Sequence, residues 1–412
     1  MHRPALLIDL SLLKTHPPFR AVFLARFISM LALGMLTVAL PIQINQLTHS
    51  PALVGLAITL AGAGMLIGLL SGGVLADRME RKRLILFARS TCGLGFVGLV
   101  INSLLPAPSL MVIYGLALWD GFFGAIGVTA LLAATPALVG RENLMQAGAI
   151  SMLTVRFGAI LSPAVAGLIL AQGGLAWNYG IAAAGTFLTL LPLLKLPILP
   201  APPQSIQHPV QSLLDGFGFI IRQPLIAMIT LIGALVMCAT AIRVLYPAFA
   251  GDWQISTEQM GLLYAAIPCG AALSALMSGR LHQVQKPGLW LLGSAILAFA
   301  CIALLGYAHQ HVWAMIDLVC FGYFSGINAL LQYALIQQLT PDHLLGRINS
   351  VWTAQNVTGD AIGAAILGSL GSWISPAATA VVFGLGAAGL GIALLLVMPS
   401  LRRYRESQAQ AA

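Results

Sequence analysis

Long apolar stretches alternate with short polar ones along nearly the whole chain. Each apolar stretch runs about 20–25 residues, enough to cross a ~30 Å hydrocarbon core as a helix. Twelve can be read, at approximately 21–46, 52–75, 84–105, 109–134, 145–171, 175–195, 224–249, 259–279, 288–308, 311–337, 348–372 and 376–399. The pattern predicts an all-α membrane protein with twelve transmembrane helices.

The polar loops sort by charge. Assigned alternately to two sides, they place Arg3, Lys14, Arg20, Arg78, Arg81, Lys82, Arg83, Arg141, Arg222, Arg280, Lys286, Arg347, Arg402, Arg403 and Arg405 together. Arg26, Arg89 and Lys195 stand close enough to span ends to snorkel to the same side. By the positive-inside rule that side is cytoplasmic, and both termini with it. Only Arg156 and Arg243 remain, both within spans. Composition agrees, with 59% hydrophobic and 8% charged residues. The net charge of +8 then reflects a cytoplasmic face against anionic lipid, not a nucleic-acid partner. Cys92, Cys238, Cys269, Cys301 and Cys320 all fall in spans and read as small apolar core residues. The first 20 residues hold Asp9, His16 and two prolines, and no cleavable signal peptide is evident. Trp177, Trp253, Trp313 and Trp373 fall near outer span ends and Trp290 and Trp352 near inner ones, as in an aromatic belt.

The chain divides near its middle. Pro197, Pro200, Pro202, Pro203 and Pro209 forbid a helix there and predict an extended cytoplasmic linker over 197–211, with a short amphipathic helix near Ser212–Arg222. Six spans precede it (1–196) and six follow (212–412), with a short cytoplasmic tail. The halves repeat one another. TPALVGRENL (135–144) follows span 4 and TPDHLLGRIN (340–349) follows span 10; GFFGAI (121–126) likewise echoes GYFSGI (322–327). Two parallel six-span halves are the architecture of the major facilitator superfamily, whose substrates bind near the midplane between halves.

Two motifs carry the same resemblance. Gly73-Val74-Leu75-Ala76-Asp77-Arg78-Met79-Glu80-Arg81-Lys82-Arg83, between spans 2 and 3, resembles the superfamily's cytoplasmic gate motif. The resemblance makes Gly73, Asp77, Arg78, Arg81, Lys82, Arg141 and Arg347 gate residues. Asp77 is the anion that can face a helix N-terminus, here span 11 near Gly346–Asn349. Glu80 replaces the motif's second glycine, and the matching loop of the second half, Ser278–His282, lacks the acid. In span 5, Gly158, Ser162, Pro163 and Gly167 resemble a degenerate antiporter motif, in which small residues allow close packing and proline bends the helix.

Residues 10–29, 127–150 and 346–365 are, more narrowly, similar to catecholate-siderophore exporters of the superfamily, over about Leu10 to Leu401. That resemblance implies proton antiport of an iron-free catecholate siderophore from cytoplasm to periplasm across a bacterial inner membrane. Candidate partners are then the siderophore, protons, membrane lipid, and periplasmic or outer-membrane efflux components. Composition and periodicity carry none of this substrate detail. A facilitator-type multidrug or macrolide-like exporter, or an importer, is the alternative, and the gate motif does not separate them.

Charges at membrane depth need a reason, since each costs at least ~2.5 kcal/mol on insertion scales. Asp120, Arg156, Arg243, Asp317 and Asp360 qualify; spans 3, 6, 9 and 12 show none in their middles. A carboxylate out of water can hold a proton at cytoplasmic pH, so Asp120 and Asp360 are candidates for proton coupling. Asp120 is equally read as a buried ion pair with Arg156, and Asp360, one turn after Asn356, as an inter-helix hydrogen bond. Arg243, before Tyr246-Pro247, suits either a gate or phenolate and carbonyl oxygens of substrate. Asp317 lies near the outer surface and can reach water. Trp119, Phe122, Phe123, Tyr323 and Tyr333 can stack on catechol rings or simply pack. An enzyme is not expected. All eight histidines lie in loops or at helix ends, no metal-holding cluster sits at depth, and no phosphate-binding GxxxxGK[ST] loop occurs. No cofactor is expected.

Overall fold

The protein is described from a computed structural model covering residues 11–200, 209–277, 279 and 285–397. The residues are helical, as they must be where no water can satisfy a lipid-facing backbone. The helices are α1 (Ser11–Thr15), α2 (Pro17–Thr48), α3 (Pro51–Arg78), α4 (Arg81–Leu104), α5 (Leu110–Val139), α6 (Leu144–Leu188) and α7 (Leu190–Leu194). After residues 201–208 come α8 (Pro209–Arg222), α9 (Pro224–Thr240), α10 (Tyr246–Trp253), α11 (Thr257–Leu276), α12 (Pro287–Leu305), α13 (His311–Leu339), α14 (Leu345–Trp373) and α15 (Pro376–Val397). Much of the 197–211 linker, most of the Ser278–His282 loop and the C-terminal tail lie outside the described residues.

Among the described residues, ten helical stretches are long and apolar enough to cross a membrane. Two features bring these to the twelve expected. The stretch Leu144–Leu194 is 51 residues long and breaks at Gly174, whose φ of 73° and ψ of −169° leave the helical region. Asn178 on one side of that break donates to the carbonyl of Ala166 on the other at 3.3 Å, so the stretch folds into two spans. The other addition is α14, 29 residues long but more polar, with Arg347 and Asp360 in it.

The chain forms two compact units. One gathers Met1–Leu40 and Ala63–His208, the other Pro41–Gly62 and Pro209–Ala412. The strip 41–62, which counts with the first six spans by sequence, packs within the second unit. There Thr59 donates to the Ala361 carbonyl at 3.0 Å, and the Ala52 amide donates to Ser372 Oγ at 3.0 Å. Pro41, inside α2, stands at the boundary.

Each unit joins its helices through glycines. In the first, Gly64, Gly68 and Gly72 present one face of α3 to α5. A Cβ on Gly64 would lie 3.1 Å from the Phe122 amide nitrogen, one on Gly68 2.9 Å from Ala125 Cβ, and one on Gly72 3.1 Å from Ile126 Cα. In the second, Gly270 of α11 meets the backbone of Gly322 and Tyr323, and Gly326 meets Ser274. The two segments that echo each other in sequence therefore face the same kind of small-residue seam, each within its own unit. With no hydrophobic drive between helices in lipid, such close backbone approach supplies the packing. Leu94, Ile101, Leu297 and Leu304 are more than 45% exposed, as a lipid-facing surface requires.

Gly68→Leu is expected to destabilise the fold, because four added carbons meet backbone rather than a movable side chain. The cost should be about 1–3 kcal/mol or more, read as a lower melting temperature in detergent. Gly148→Ala, where a Cβ meets nothing within 4 Å, should leave melting unchanged or raise it.

Candidate functional site

The span formed by α9 and α10 is interrupted. Ala241–Leu245 is a 3₁₀ turn joining the two helices. Pro247 has no N–H, so the Arg243 carbonyl four residues earlier lacks its helical partner. It is satisfied instead by the Tyr246 amide and by the Tyr264 hydroxyl, which donates at 3.2 Å. A break of this kind in mid-span marks a hinge or a site.

Arg243, at its centre, makes a two-pronged ion pair with Asp360 of α14. Nη1 donates to Oδ1 at 2.7 Å and Nη2 to Oδ2 at 2.6 Å. Thr240 Oγ1 adds a bond to Oδ1 at 3.4 Å. The helices come close enough because Gly359 and Gly363 bracket the acid. A Cβ on Gly359 would stand 2.8 Å from Met237 Cβ, and one on Gly363 would stand 2.7 Å from Cys238 Cα. The guanidinium fork matches the carboxylate geometry in a way a lysine does not. Nearby, the Tyr246 hydroxyl is buried with no hydrogen-bond partner. One oxygen of Asp317 is buried in the same manner. Asp317 as a whole is half-buried, so the expectation that it reaches water holds for at most part of its carboxylate.

In the first unit, Asp120 has Oδ1 buried with no hydrogen-bond partner. The ion pair with Arg156, one of its two readings from sequence, does not form: Arg156 is exposed. Arg89 of α4 is a second buried charge in this unit, its Nε also without a hydrogen-bond partner. Arg89 does not snorkel. It is 3% exposed, with Nη2 3.4 Å from where a Cβ on Gly127 would be. The third span thus carries a buried charge that position alone assigned to its end. Trp119 is spent on packing: its indole donates to the Thr91 carbonyl at 2.9 Å and its ring lies 4.5 Å from Phe123.

The gate-motif residues hold the chain's own loops. Glu80 pairs with Arg83 at 2.8 Å. The Arg81 amide donates to the Leu199 carbonyl at 3.0 Å, and Lys82 Nζ donates to the Leu196 carbonyl at 2.7 Å, so the motif anchors the segment that follows the sixth span. Gly73, Asp77 and Arg78 form the last turns of α3. Arg141 opens a 3₁₀ turn, Arg141–Asn143, and its side chain lies outside the described residues. Arg347 pairs with Asp215 of α8 at 3.3 Å. The amphipathic helix foreseen near 212–222 is α8, lying against the start of α14, with Leu214, Phe217 and Ile221 exposed on one face. Along the antiporter-like motif of α6, Ser162 donates to the Leu31 carbonyl at 3.0 Å, and Gly158 faces Met30. Pro163 and Gly167 are buried in the same helix. Serine here provides a bond that glycine would not.

Sequence reasoning missed the Arg243–Asp360 pairing. The available signal was the pair of glycines around Asp360 together with Pro247 after Arg243; nearness in the chain favoured Arg156 for Asp120 instead. Asn356 and Tyr333 lie on α14 and α13. Tyr333 is 45% exposed and meets the Trp352 ring at a 60° tilt, centroids 5.4 Å apart.

A bundle of membrane-crossing helices in two compact units, with paired charges at depth and a broken span, defines a transporter. The sequence matches the Major Facilitator Superfamily over residues 22–364, and the chain belongs to that family. It is a multi-pass membrane transporter, not an enzyme. It is 59% identical over 410 residues to the enterobactin exporter EntS of Escherichia coli O1:K1 / APEC, covering 100% of this chain and 99% of that one. The enterobactin exporter EntS of Shigella boydii serotype 4 is 58% identical over the same length and coverage. The fold is similar to that of the nucleoside transporter NupG, with a TM-score of 0.76 at 14% identity, covering 94% of this chain and 100% of that one. A peptide transporter, POT, in complex with sulfate has a TM-score of 0.71 at 16% identity, covering 95% and 96%.

Removing one member of the Arg243–Asp360 pair strands the other in a site that leaves each side chain only about a quarter exposed (25% and 26%). Arg243→Met or Asp360→Leu should each cost about 3 kcal/mol, the low end for a buried pair. The double variant should be more stable than either single one. Thermal melting of the four proteins checks this; additive losses would show that the two charges do not stabilise one another.

Proposed function

We propose that the chain exports iron-free enterobactin from cytoplasm to periplasm across the bacterial inner membrane, by alternating access coupled to proton entry. Full-length identity of 59% to proteins named enterobactin exporters supports the substrate. The basic loops, gathered on one face by the order of the spans, support cytoplasmic termini. The observation that carries the coupling is the Arg243–Asp360 pair on a broken span.

Arg243 orients the ionised carboxylate of Asp360 while leaving it lone pairs that accept from the phenol hydroxyls of a catechol. A proton arriving from the periplasm neutralises the carboxylate and leaves it a weaker acceptor. Substrate and proton then compete for one group, which is the condition for antiport. Asp120, with an oxygen that has no donor in reach, is the second carboxylate in this role. At Asp120, whose Oδ1 has no hydrogen-bond partner, protonation needs no bond to be broken; at Asp360 it loosens the pair with Arg243. Ligand and proton shift the transporter between its states only through such differential binding. Protons and enterobactin are the partners this reading requires; efflux components beyond the inner membrane are further candidates.

Uptake of iron-free enterobactin into inverted membrane vesicles tests the proposal. Wild type should accumulate it when a proton gradient is imposed and release it when the gradient is collapsed. Asp360→Asn and Asp120→Asn, made separately, test the coupling sites. At least one should bind substrate and yet reach no more than the external concentration, since an amide accepts a hydrogen bond but takes up no proton. Gradient-driven accumulation at the wild-type level in both would place the coupling elsewhere.

Sidedness is tested separately. In a cysteine-free background, Ser205→Cys should resist an impermeant thiol reagent in intact cells and react once the cells are opened. Labelling in intact cells would reverse the orientation.

A further inference from the structure

Beside the ion pair, the second unit holds a buried polar cluster that the coupling scheme does not use. Gln332 of α13 is 1% exposed and Gln355 of α14 is 7% exposed. Gln332 Nε2 donates to Gln355 Oε1 at 3.2 Å. The Gln332 amide lies against Gly233 of α9, which has no side chain to displace it. Gln332 is thereby held in place and uses up the carbonyl end of Gln355. The other end of Gln355, Nε2, is buried with no partner, and so is the indole N–H of Trp352 one turn earlier on the same helix. Two N–H donors on one face of α14 are therefore both unsatisfied. Leaving such a group buried and unpaired costs ~1–3 kcal/mol each, which argues that another state of the transporter uses them. Tyr333, itself 45% exposed, sets its ring against Trp352 at a 60° tilt, with centroids 5.4 Å apart.

We propose that Trp352 and Gln355, held by Gln332 and flanked by Tyr333, form a subsite that reads hydrogen-bond acceptors on an aromatic, uncharged part of the substrate. This rests on the enterobactin reading above. Rotation of Tyr333 frees the indole, whose N–H and the Gln355 amide then meet phenol or carbonyl oxygens while the rings stack on the catechol. The donors are neutral. Arg347, on the same helix, is engaged by Asp215 and supplies no free charge here. Such a subsite suits the iron-free ligand, whose phenol oxygens are protonated and free. In the ferric complex those oxygens are bonded to the metal and the rings are fixed around it, so they cannot turn to meet two donors set on α14. The subsite therefore selects iron-free over iron-loaded substrate.

The test is equilibrium binding of iron-free and ferric enterobactin to the purified full-length protein in lipid nanodiscs. Trp352→Phe keeps the ring and removes the donor; Gln355→Leu keeps the bulk and removes the amide. Each should weaken iron-free binding roughly tenfold, about one hydrogen bond's worth, while ferric binding changes little, so the selectivity ratio narrows. The conservative Trp352→Phe keeps the test decisive if Gln355→Leu melts early. Wild-type affinity for iron-free ligand in both variants would overturn the subsite. A parallel loss for both ligands would also overturn it, showing a structural role. If wild type binds neither form of enterobactin but binds a macrolide, the substrate reading itself fails, and the subsite with it.

Discussion

A charge inside hydrocarbon is costly unless it is matched, and in this protein one such match organises the site. Arg243 and Asp360 meet through both guanidinium nitrogens, at 2.7 and 2.6 Å. Everything local serves that meeting. Pro247 opens the helix, the Tyr264 hydroxyl supports the freed carbonyl, and Gly359 and Gly363 let α14 approach α9. A buried pair of this kind contributes little net stability compared with apolar residues of the same shape.

Small residues do the complementary work. Gly64, Gly68 and Gly72 on α3, and Gly270, Gly322 and Gly326 on α11 and α13, bring backbones together where lipid offers no hydrophobic drive. The same seam recurs in each unit, which is the three-dimensional form of the sequence echo between 121–126 and 322–327. A family built on two such units can keep its frame while the polar residues along it are exchanged. NupG and POT, at 14% and 16% identity, share the frame with this chain. Their names therefore bear on the fold and not on the cargo.

The helical spans and the repeat were legible from the sequence because they depend on length and apolarity, which are additive along a chain. Asp360 and Arg243 were legible as costly charges, but their partnership was not. Pairing depends on which faces meet, and a helix face turns through 100° with each residue. The reading of Asp120 as a pair with Arg156 used closeness in the chain, but packing leaves Arg156 exposed and buries Arg89 instead, at 3% exposure. The gate motif was read from its resemblance, while its Lys82 and Arg81 turn out to hold the segment at Leu196–Leu199, a contact invisible to a motif. Gln332 and Gln355 escaped notice because a glutamine in a span carries no charge to flag it.

The central claim is that one carboxylate serves substrate and proton in turn. Proton movement driven by substrate, in liposomes holding the purified transporter and a trapped pH dye, tests it most directly. With no proton gradient imposed, an iron-free enterobactin gradient should drive protons the opposite way in wild type, and should fail to do so in at least one of Asp360→Asn and Asp120→Asn. Substrate flux with no accompanying proton movement in wild type would contradict the account.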